Sequence, residues 1–563
     1  MTADPTSTLL PAGEVTAGAL CAALRSMAQA GGAPDSLDAV RLAIVVSRRK
    51  GAILSRRWLA GRDGWPVVER TVERAMAAAV KAEQYPDALQ IEIGWPPVRT
   101  SLASLKAMGR SQVGRKGLAI LEGTRLVAVR GATEMIAANR DHARALERQL
   151  AVDKLPPDAV EKGAVEPALF DSLQFLLRLQ SPPRLDLMWR GNRIVEAADV
   201  DSNSVRALAE NMMLWMRNQV DAGGRIVYKF FPSSGRESEG DNSIRQAMAT
   251  VCLNRIALHS GLAADRDIAD RNLDHLLRVY YRTEDALGYI AEGEKAKLGA
   301  AALAGLAIVE NPGAGRYREP LAALSKSVDS LWLQSGEFRT FLKPADRNDN
   351  QNFYPGEALV FWAARLAQAR GAADPARFLQ SFAFYREHFR TNPNPAFVPW
   401  HSQAYYAALP HIGAAAAPVK DFIFEMNDWL LGMQQWDTAP HPDLRGRFYD
   451  PRRPEYGPPH ASSTGVYLEG LTDALELARS SRDSARADAY RLAILRGLRS
   501  LMQLQFRDGV DMYYVSGAER VQGGIRTEAY DNTIRVDNVQ HGLMALLKIL
   551  ARMSGEDLRL LPR

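Results

Sequence analysis

The order of apolar and polar positions divides the chain into two regions with different patterns. In the first 200 residues, strand-like and helix-like segments follow one another. The apolar run 39–47 predicts a buried strand or the apolar stripe of a helix, and the alternation in 88–93 predicts a strand. Charges spaced three or four residues apart in the alanine-rich segment 67–83 predict a helix, and 117–129 predicts a hairpin.

Further along the same region, the pattern predicts one longer helix and then a connection. Thr133 is suited to be the N-cap of an amphipathic helix that runs to Leu150. The segment 153–167 contains two consecutive prolines and few apolar residues, which predicts a loop, and 187–195 predicts a second hairpin. This mixture of elements predicts an α+β domain over residues 1–200.

A helical repeat replaces this pattern from about residue 205 onward. Each unit contains an amphipathic helix, a loop rich in glycine, proline and aromatic residues, and a second helix rich in small and apolar residues. A helix that is apolar nearly all round has to be buried on both sides. The second helices of six units are predicted to begin near Asp241, Lys295, Gln351, Trp400, Ser462 and Val536.

Six helical hairpins can close into a ring with the buried helices inside and the amphipathic helices outside. We therefore predict an (α/α)6 toroid over residues 201–563, behind the α+β domain. The N-termini of the inner helices would meet at one end of the toroid, where unpaired backbone N–H groups and the positive ends of the helix dipoles gather. Polar and aromatic residues are concentrated at these helix starts. This mouth is therefore the predicted functional site.

The composition excludes several classes of protein. Of the 563 residues, 47% are hydrophobic, and no run of about 18 apolar residues occurs, so neither large disordered regions nor a membrane span is expected. The 70 Lys+Arg and 65 Asp+Glu are spread along the chain, so a nucleic-acid partner is not expected. Cys21 and Cys252 are too few for a disulfide framework, and the first residues show no secretory leader. We expect a reduced, cytoplasmic setting.

Titratable residues at the predicted mouth are candidates for catalysis. They are Glu357, Glu469, Asp241, Asp537, His401 and His541. Glu357 and Glu469 lie about one turn inside buried helices, where a carboxylate needs a partner or a water-filled cavity. Paired carboxylates are typical of glycosidic bond cleavage, and a histidine beside a carboxylate suits removal of a proton from a sugar carbon. Asp241, Ser462 and Asp537 also suit an N-cap, and a lone buried histidine is usually a core residue.

A second group of mouth residues suits the binding of a sugar. It consists of Arg245, Gln246, Asn352, Tyr354, Trp400, Tyr467 and Gln540. Aromatic rings stack on the C–H faces of sugars, and amide and guanidinium groups hydrogen-bond to hydroxyls. The chain contains no phosphate-binding glycine loop, no nucleophile elbow and no zinc-binding motif. We therefore expect no metal and no cofactor.

Three segments carry the clearest repeat motifs of the helical region. They are YKFFPSSGRESEGDNSIRQA (228–247), STGVYLEGLTDAL (463–475) and GGIRTEAYDNTIRVDNVQHGLMALL (523–547). They resemble the repeats of the six-hairpin glycosidase-like superfamily, which holds unsaturated glucuronyl hydrolases, other glycoside hydrolases, N-acylglucosamine 2-epimerases and the C-terminal toroid of glucuronyl C5-epimerases. The resemblance implies a toroid over roughly residues 200 to 555.

The same resemblance implies a role for two histidines. In the 2-epimerase branch, paired histidines from the inner helices of the fourth and sixth hairpins act as acid and base. His401 and His541 fall in those hairpins here, although the residues around them differ from that family. In the first region, RKGLAILEGTRLVAVRGATEMIAAN (115–139) resembles the core of AMMECR1-like domains without their LRGCIG motif, and this likeness implies no chemistry.

The sequence therefore favours a carbohydrate-active enzyme, with three alternatives left open. The first is a glycoside hydrolase of a bacterial polysaccharide or oligosaccharide, with Glu357 and Glu469 as acid and base. The second is a sugar epimerase or isomerase that uses His401 and His541, and the third is an inactive toroid that binds a glycan or a protein. The net charge of +5, with basic residues at the mouth, predicts an acidic sugar as one option. A protein partner would dock on the α+β domain.

Overall fold

The computed structural model describes residues 7–10, 15–31, 36–81, 85–369 and 375–559. Among these residues, the first region folds around a nine-stranded antiparallel sheet. Its strands are β1 (Ser7–Leu9), β2 (Leu42–Arg49), β3 (Ala52–Ala60), β4 (Ala88–Gly94), β5 (Val98–Arg99), β6 (Lys116–Glu122), β7 (Arg125–Arg130), β8 (Glu166–Arg178) and β9 (Arg184–Met188). The connections hold the helices α1 (Ala17–Ala30), α2 (Pro66–Lys81), α3 (Leu102–Met108), α4 (Ala132–Ala137) and α5 (His142–Val152).

The long strand β8 joins the two halves of this sheet. Its first residues pair with β6, and its later residues pair with β4 on one side and β9 on the other. The sequence pattern did not predict β8, because an apolar run without strict alternation does not distinguish a buried strand from a buried helix. The predicted elements at 39–47, 67–83, 88–93 and 117–129 correspond to β2, α2, β4 and the β6–β7 hairpin.

Two predictions for the first region are wrong. The helix expected over 133–150 is two helices, α4 and α5, because Asn139 between them has a φ of 51° and ends the helical path. Gly131 rather than Thr133 precedes the first of them. The hairpin expected over 187–195 is β9 followed by a tight turn, in which Trp189 bridges to Asn192.

The helical region forms a closed ring. Its helices are α6 (Ser202–Asn218), α7 (Ser243–Ser260), α8 (Ala263–Tyr280), α9 (Leu298–Glu310), α10 (Arg318–Ser330), α11 (Tyr354–Gln368), α12 (Ala376–Thr391), α13 (Phe397–Ala408), α14 (Ala416–Leu431), α15 (Ala461–Ser480), α16 (Ser484–Leu504) and α17 (Val536–Arg552). The odd-numbered helices from α7 to α17 pack each against the next, and α17 packs against α7. The six predicted helical hairpins are thereby confirmed.

The inner helices are buried because their residues are small and apolar. In α9, every residue from Leu298 to Ile308 is buried, and five of its thirteen residues are alanine. Small side chains allow neighbouring helices to approach closely, so the inner helices pack directly against one another around the ring. The even-numbered helices cover them and turn their polar faces outward.

Two small sheets stand at the mouth of the ring, where the sequence pattern predicted almost no strands. One has the order β11-β10-β17-β16 and the other β12-β13-β14-β15. Their strands are β10 (Lys229–Phe231), β11 (Arg236–Glu237), β12 (Tyr281–Glu284), β13 (Leu287–Glu292), β14 (Lys295–Lys297), β15 (Phe341–Lys343), β16 (Arg526–Glu528) and β17 (Asp531–Arg535). Strands of two to six residues are too short to show a clear alternation. The second inner helix was predicted to begin near Lys295. Instead, Lys295 and Lys297 lie on β14, and the helix begins after them.

The sheet region packs against the ring through a mixed interface. Leu176 and Met188 belong to the same apolar core as the helices of the ring. Arg190, whose side chain is 1% exposed, pairs with Asp443 at 2.6 Å, and Asn139 donates a hydrogen bond to Asp531 at 3.0 Å. A division of the chain near residue 200 therefore stays a prediction. No helix among the described residues is long and apolar enough to cross a membrane.

Candidate functional site

The inner helices surround a cavity of about 330 Å³ at their N-terminal end. Each of the six contributes a residue from its first two turns or from the position just before it. Examples are Arg245 (α7), Lys297 (before α9), Glu357 (α11), Trp400 (α13), Ser463 (α15) and His541 (α17). The volume falls in the usual range for a small-molecule site, about 300–1,000 Å³. The predicted mouth therefore corresponds to a real concave site.

Eight of the thirteen predicted site residues line this cavity. They are Arg245, Tyr354, Glu357, Trp400, Tyr467, Asp537, Gln540 and His541. Gln540 is fully buried, and both atoms of its side-chain amide lack a hydrogen-bond partner in the protein. Because an unpaired buried amide is costly, Gln540 is suited to bind a polar group of a molecule in the cavity.

His541 is held in place by a carboxylate behind it. Its Nδ1 lies 2.9 Å from Oε1 of Glu469, which is fully buried and does not line the cavity. A carboxylate accepts hydrogen bonds, so Nδ1 donates and Nε2 is left as the acceptor nitrogen. The rings of Trp400 and His541 meet edge to face with 5.8 Å between their centroids. His541 therefore has the arrangement of an oriented general base.

A partly buried ion pair lies behind Glu469. Arg255 binds both carboxylate oxygens of Glu310, at 2.8 and 2.9 Å, and its other terminal nitrogen lies 3.8 Å from Oε2 of Glu469. Oε2 itself has no hydrogen-bond partner. The positive charge of Arg255 therefore lies close to the carboxylate that holds the His541 ring.

Glu357 has the opposite environment. It lines the cavity at 4% exposure, and its Oε2 is buried without a hydrogen-bond partner. Burial raises the pKa of Glu357 to about 8, although Arg245 and Lys297 partly oppose the shift. Gly299 of α9 makes room for this carboxyl group, because a Cβ at that position would lie 1.8 Å from Oε2. Glu357 therefore keeps its proton to a higher pH than an ordinary carboxyl group does.

Asp537 is a third carboxylate of the cavity, and it is neutralised by arginines. Arg245 donates to its Oδ2 at 2.9 Å, and Arg535 donates to its Oδ1 at 2.9 Å. Burial alone would raise the pKa of Asp537, but the two arginines outweigh that effect and hold it well below its usual range. Asp537 is thus a permanently ionised group that positions Arg245 and Arg535 and is a poor base.

His460 and Ser463 also line the cavity, although neither was among the predicted site residues. His460 is the N-cap of α15, and its Nδ1 accepts a hydrogen bond from the backbone N–H of Ser463 at 3.2 Å. A histidine is not among the usual N-cap residues, so the sequence pattern gave no capping signal. Its place just before an inner helix was the available signal.

Other residues of the cavity wall come from the segments just before the inner helices and from the first turn of α15. Before the helices lie Asn242, Lys297, Asn350, Phe353, Ala396 and Tyr456, and Ser462 lies in α15. Asn350 has a φ of 68°, a backbone conformation that asparagine tolerates better than most residues. Loop residues of this kind carry no periodic signal, and their position follows only from the folded ring.

The structure does not bring the remaining predicted residues into the cavity. Asp241 is exposed, accepts hydrogen bonds from Tyr280 and Gln246, and is not the N-cap of α7, a position that Asn242 takes. Gln246 is buried and donates to the carbonyl of Ile226 at 3.0 Å. Asn352 lies outside the wall residues, with Oδ1 buried and unpaired.

His401 lies in an aromatic cluster beside the cavity. Its ring stacks on Phe397 with 3.4 Å between centroids, and its Nδ1 donates to the carbonyl of Phe397 at 3.0 Å. Tyr385 and Tyr405 pack on its other sides. Burial lowers the pKa of His401 to about 3. The predicted pairing of His401 with His541 across one site is therefore absent from the described structure.

The positive charge at the mouth is largely compensated. Lys297 pairs with Glu292 at 3.0 Å, Arg245 and Arg535 share Asp537, and Lys295 is exposed and does not line the cavity. The arrangement leaves about one uncompensated positive charge near the wall. It gives no support to a strongly anionic substrate.

Comparisons with known proteins give only distant likenesses. No protein-family model matches the chain, and no curated protein matches it. Among solved structures, it is similar to an inactive variant of an α-1,6-mannanase from Salegentibacter in complex with α-1,6-mannotriose, at 11% identity and a TM-score of 0.44, over 62% of this chain and 99% of the other. A D-mannose isomerase (11%, 0.46, 62% and 98%) and a sugar epimerase from a ruminal bacterium (10%, 0.45, 62% and 99%) are similar to a comparable degree.

Proposed function

We propose that the chain is an acid–base enzyme that isomerises or epimerises a small sugar bound at the mouth of the ring. The observation that carries the proposal is the pairing of cavity-lining His541 with buried Glu469. A histidine whose Nδ1 is held by a carboxylate presents its Nε2 as a proton acceptor, which is the arrangement of a general base. The cavity volume suits a monosaccharide or a short oligosaccharide better than a long chain.

Two groups of opposite character divide the proton transfers. Nε2 of His541 accepts the proton from the carbon next to the carbonyl of an open-chain sugar, and the C–H electron pair becomes the C=C bond of an enediol. The carbonyl electron pair moves to oxygen, which takes the proton from Glu357. A proton then returns to the other carbon, or to the other face of the same carbon, while an enediol hydroxyl gives its proton back to the carboxylate of Glu357. This completes the reaction without an external oxidant or reductant. Burial keeps the proton on Glu357, and the contact of Nδ1 with Glu469 leaves Nε2 of His541 as the acceptor, so the two residues take the two roles.

A second candidate is a glycoside hydrolase, and the raised pKa of Glu357 favours it. A carboxylic acid that is still protonated near pH 7 is the group that protonates a leaving glycosidic oxygen. The pair expected from the sequence, Glu357 with Glu469, receives no support, because Glu469 lies behind His541 and outside the cavity wall. In this reading His541 activates the water.

Incubation in deuterated water separates these candidates. The purified chain is mixed with D-mannose, D-fructose and D-glucose, and each carbon is followed by NMR, with the H541Q variant as control. Deuterium at the carbon beside the carbonyl, absent with H541Q, is the expected result. Cleavage of α-linked manno-oligosaccharides without carbon deuteration would favour the hydrolase. Sugar binding with neither reaction would favour the inactive binding toroid and overturn both.

A further inference from the structure

His460 has an unusual position at the start of α15. As the N-cap, its Nδ1 faces the backbone N–H of Ser463 at 3.2 Å and the hydroxyl of Ser462 at 2.7 Å. The hydroxyl of Ser463 lies at similar distances from both ring nitrogens, 3.1 and 3.3 Å, and so does not distinguish them. His460 is also one of the residues that line the cavity.

The N-cap contact fixes the tautomer of this histidine. A backbone N–H can only donate, so Nδ1 of His460 must accept and cannot itself carry a hydrogen. A neutral imidazole then carries its hydrogen on Nε2. The tautomer is the opposite of that of His541, whose Nδ1 donates to Glu469.

The surroundings keep His460 neutral. Burial lowers its pKa to about 4, and the nearby Arg535 and Arg245 act in the same direction. Asp537 opposes them, but it is already bound by both arginines, and His541 adds a further small effect toward the neutral form. Protonation would also place an N–H of His460 against the N–H of Ser463. His460 therefore donates a hydrogen bond through Nε2–H and does not transfer that proton.

We propose that His460 is a further catalytic residue, whose Nε2–H holds the sugar oxygen on which negative charge develops while His541 removes the carbon-bound proton. The inference rests on the proposed function. Glu357 supplies a proton to that oxygen, whereas His460 supplies a fixed dipole. A preorganised neutral donor stabilises a developing oxyanion without competing for the proton.

The first test needs no turnover. The chain is labelled with ¹⁵N-histidine, and the ring nitrogens are observed by NMR from pH 8 to pH 5, with the signal lost in H460N assigned to His460. We expect a protonated Nε2, an unprotonated Nδ1 and no titration over this range. His401 serves as an internal reference with the opposite tautomer, because its Nδ1 donates to Phe397. A protonated Nδ1 or an imidazolium at pH 6 would overturn the inference.

The same spectra test contact with a sugar. D-mannitol is added to roughly 100 mM as an acyclic polyol that cannot undergo the reaction. We expect the Nε2–H resonance of His460 to shift, while the resonances of His401 stay in place. An unchanged His460 resonance would overturn the contact, whatever the outcome of the deuterium experiment.

The kinetic test uses a variant that keeps the cap. Asparagine is a good N-cap residue, so H460N should retain the melting temperature of the wild type within about 2 °C. Deuterium incorporation should fall by roughly 10²-fold in kcat with little change in KM, as is typical for loss of one oxyanion donor. H460A should lose the cap as well and melt at a lower temperature. Full exchange activity in H460N would exclude the role, even if the tautomer is as expected.

Discussion

The two sides of the cavity treat their titratable side chains in opposite ways. On the α15–α17 side, His541 is hydrogen-bonded to Glu469, and the charge of Arg255 lies behind the pair. On the α11–α13 side, Glu357 has an oxygen without any partner, and burial is the main influence on it. The α15–α17 side orients His541 so that Nε2 can accept a proton. The α11–α13 side favours a carboxyl group that already holds one.

The contrast extends to the two histidines that the sequence placed in parallel. His541 lines the cavity, while His401 packs against Phe397 and Tyr405 of its own helix and does not line the cavity. The residue beside His401, Trp400, takes the place at the cavity wall. Successive helical residues point about 100° apart, so a shift of one position exchanges a cavity residue for a core residue.

The difference is tested most strongly by removing each histidine in turn. In H541Q, an amide keeps the contact with Glu469 but cannot accept the proton, so deuterium exchange should fall by roughly 10³-fold. In H401F, the ring remains in an aromatic cluster and exchange should stay within about twofold. Single-turnover NMR in deuterated water measures both. Loss of exchange in H401F with an unchanged melting temperature would contradict the assignment of the two sides.

The role of Glu357 as the acid should be visible in the dependence of activity on pH. Because the pKa of Glu357 is raised to about 8, the wild type should hold its active, protonated form at neutral pH and lose activity as the pH rises past 8. E357Q should lower exchange by roughly 10²-fold and remove this alkaline decline. A decline that persists in E357Q would assign the titration to another group. Melting temperatures across the same pH range serve as the control for unfolding.

Removal of the charge of Glu469, behind His541, should have a smaller effect on exchange activity. In E469Q, the amide oxygen can still accept from Nδ1 of His541 but without a negative charge, so exchange should fall by about tenfold. E476Q, two turns further along α15, is a matched control and should leave exchange unchanged. Equal effects of the two variants would show that Glu469 acts only through the packing of the helix.

The ring could be predicted from the sequence because its signal is periodic and repeated. Apolar residues all round an inner helix mark burial at every turn, and the starts predicted at Ser462 and Val536 lie within one residue of α15 and α17. The cavity followed as well, because the inner helices share one direction. β8 and the small sheets at the mouth were missed, since they lack strict alternation or are too short to show it.

The roles of the site residues could not be predicted to the same extent. Composition alone does not tell that Glu469 lies behind His541, because that depends on how α15 and α17 approach each other. Asp537 carries the same chemistry as Glu357 in the sequence, yet two arginines bind one and none binds the other. The role of His460 could not be predicted, because its cap contact with Ser463 exists only after α15 has formed.

The smallest expected effect concerns the core histidine and appears in stability. Because burial lowers the pKa of His401 to about 3, the unfolded chain binds a proton at this residue more readily than the folded chain does below its ordinary pKa of 6.5. The contribution of His401 to stability is therefore present above pH 6.5 and is lost as the pH falls toward 3. H401F lacks this pH-dependent loss. Its free energy of unfolding relative to the wild type should therefore be about 2 kcal/mol higher at pH 5 than at pH 8. Thermal melts of both proteins at the two pH values measure the difference. A histidine that faced the cavity would exchange protons with solvent in the folded state, and an equal pH response of wild type and H401F would therefore place His401 on the same side as His541.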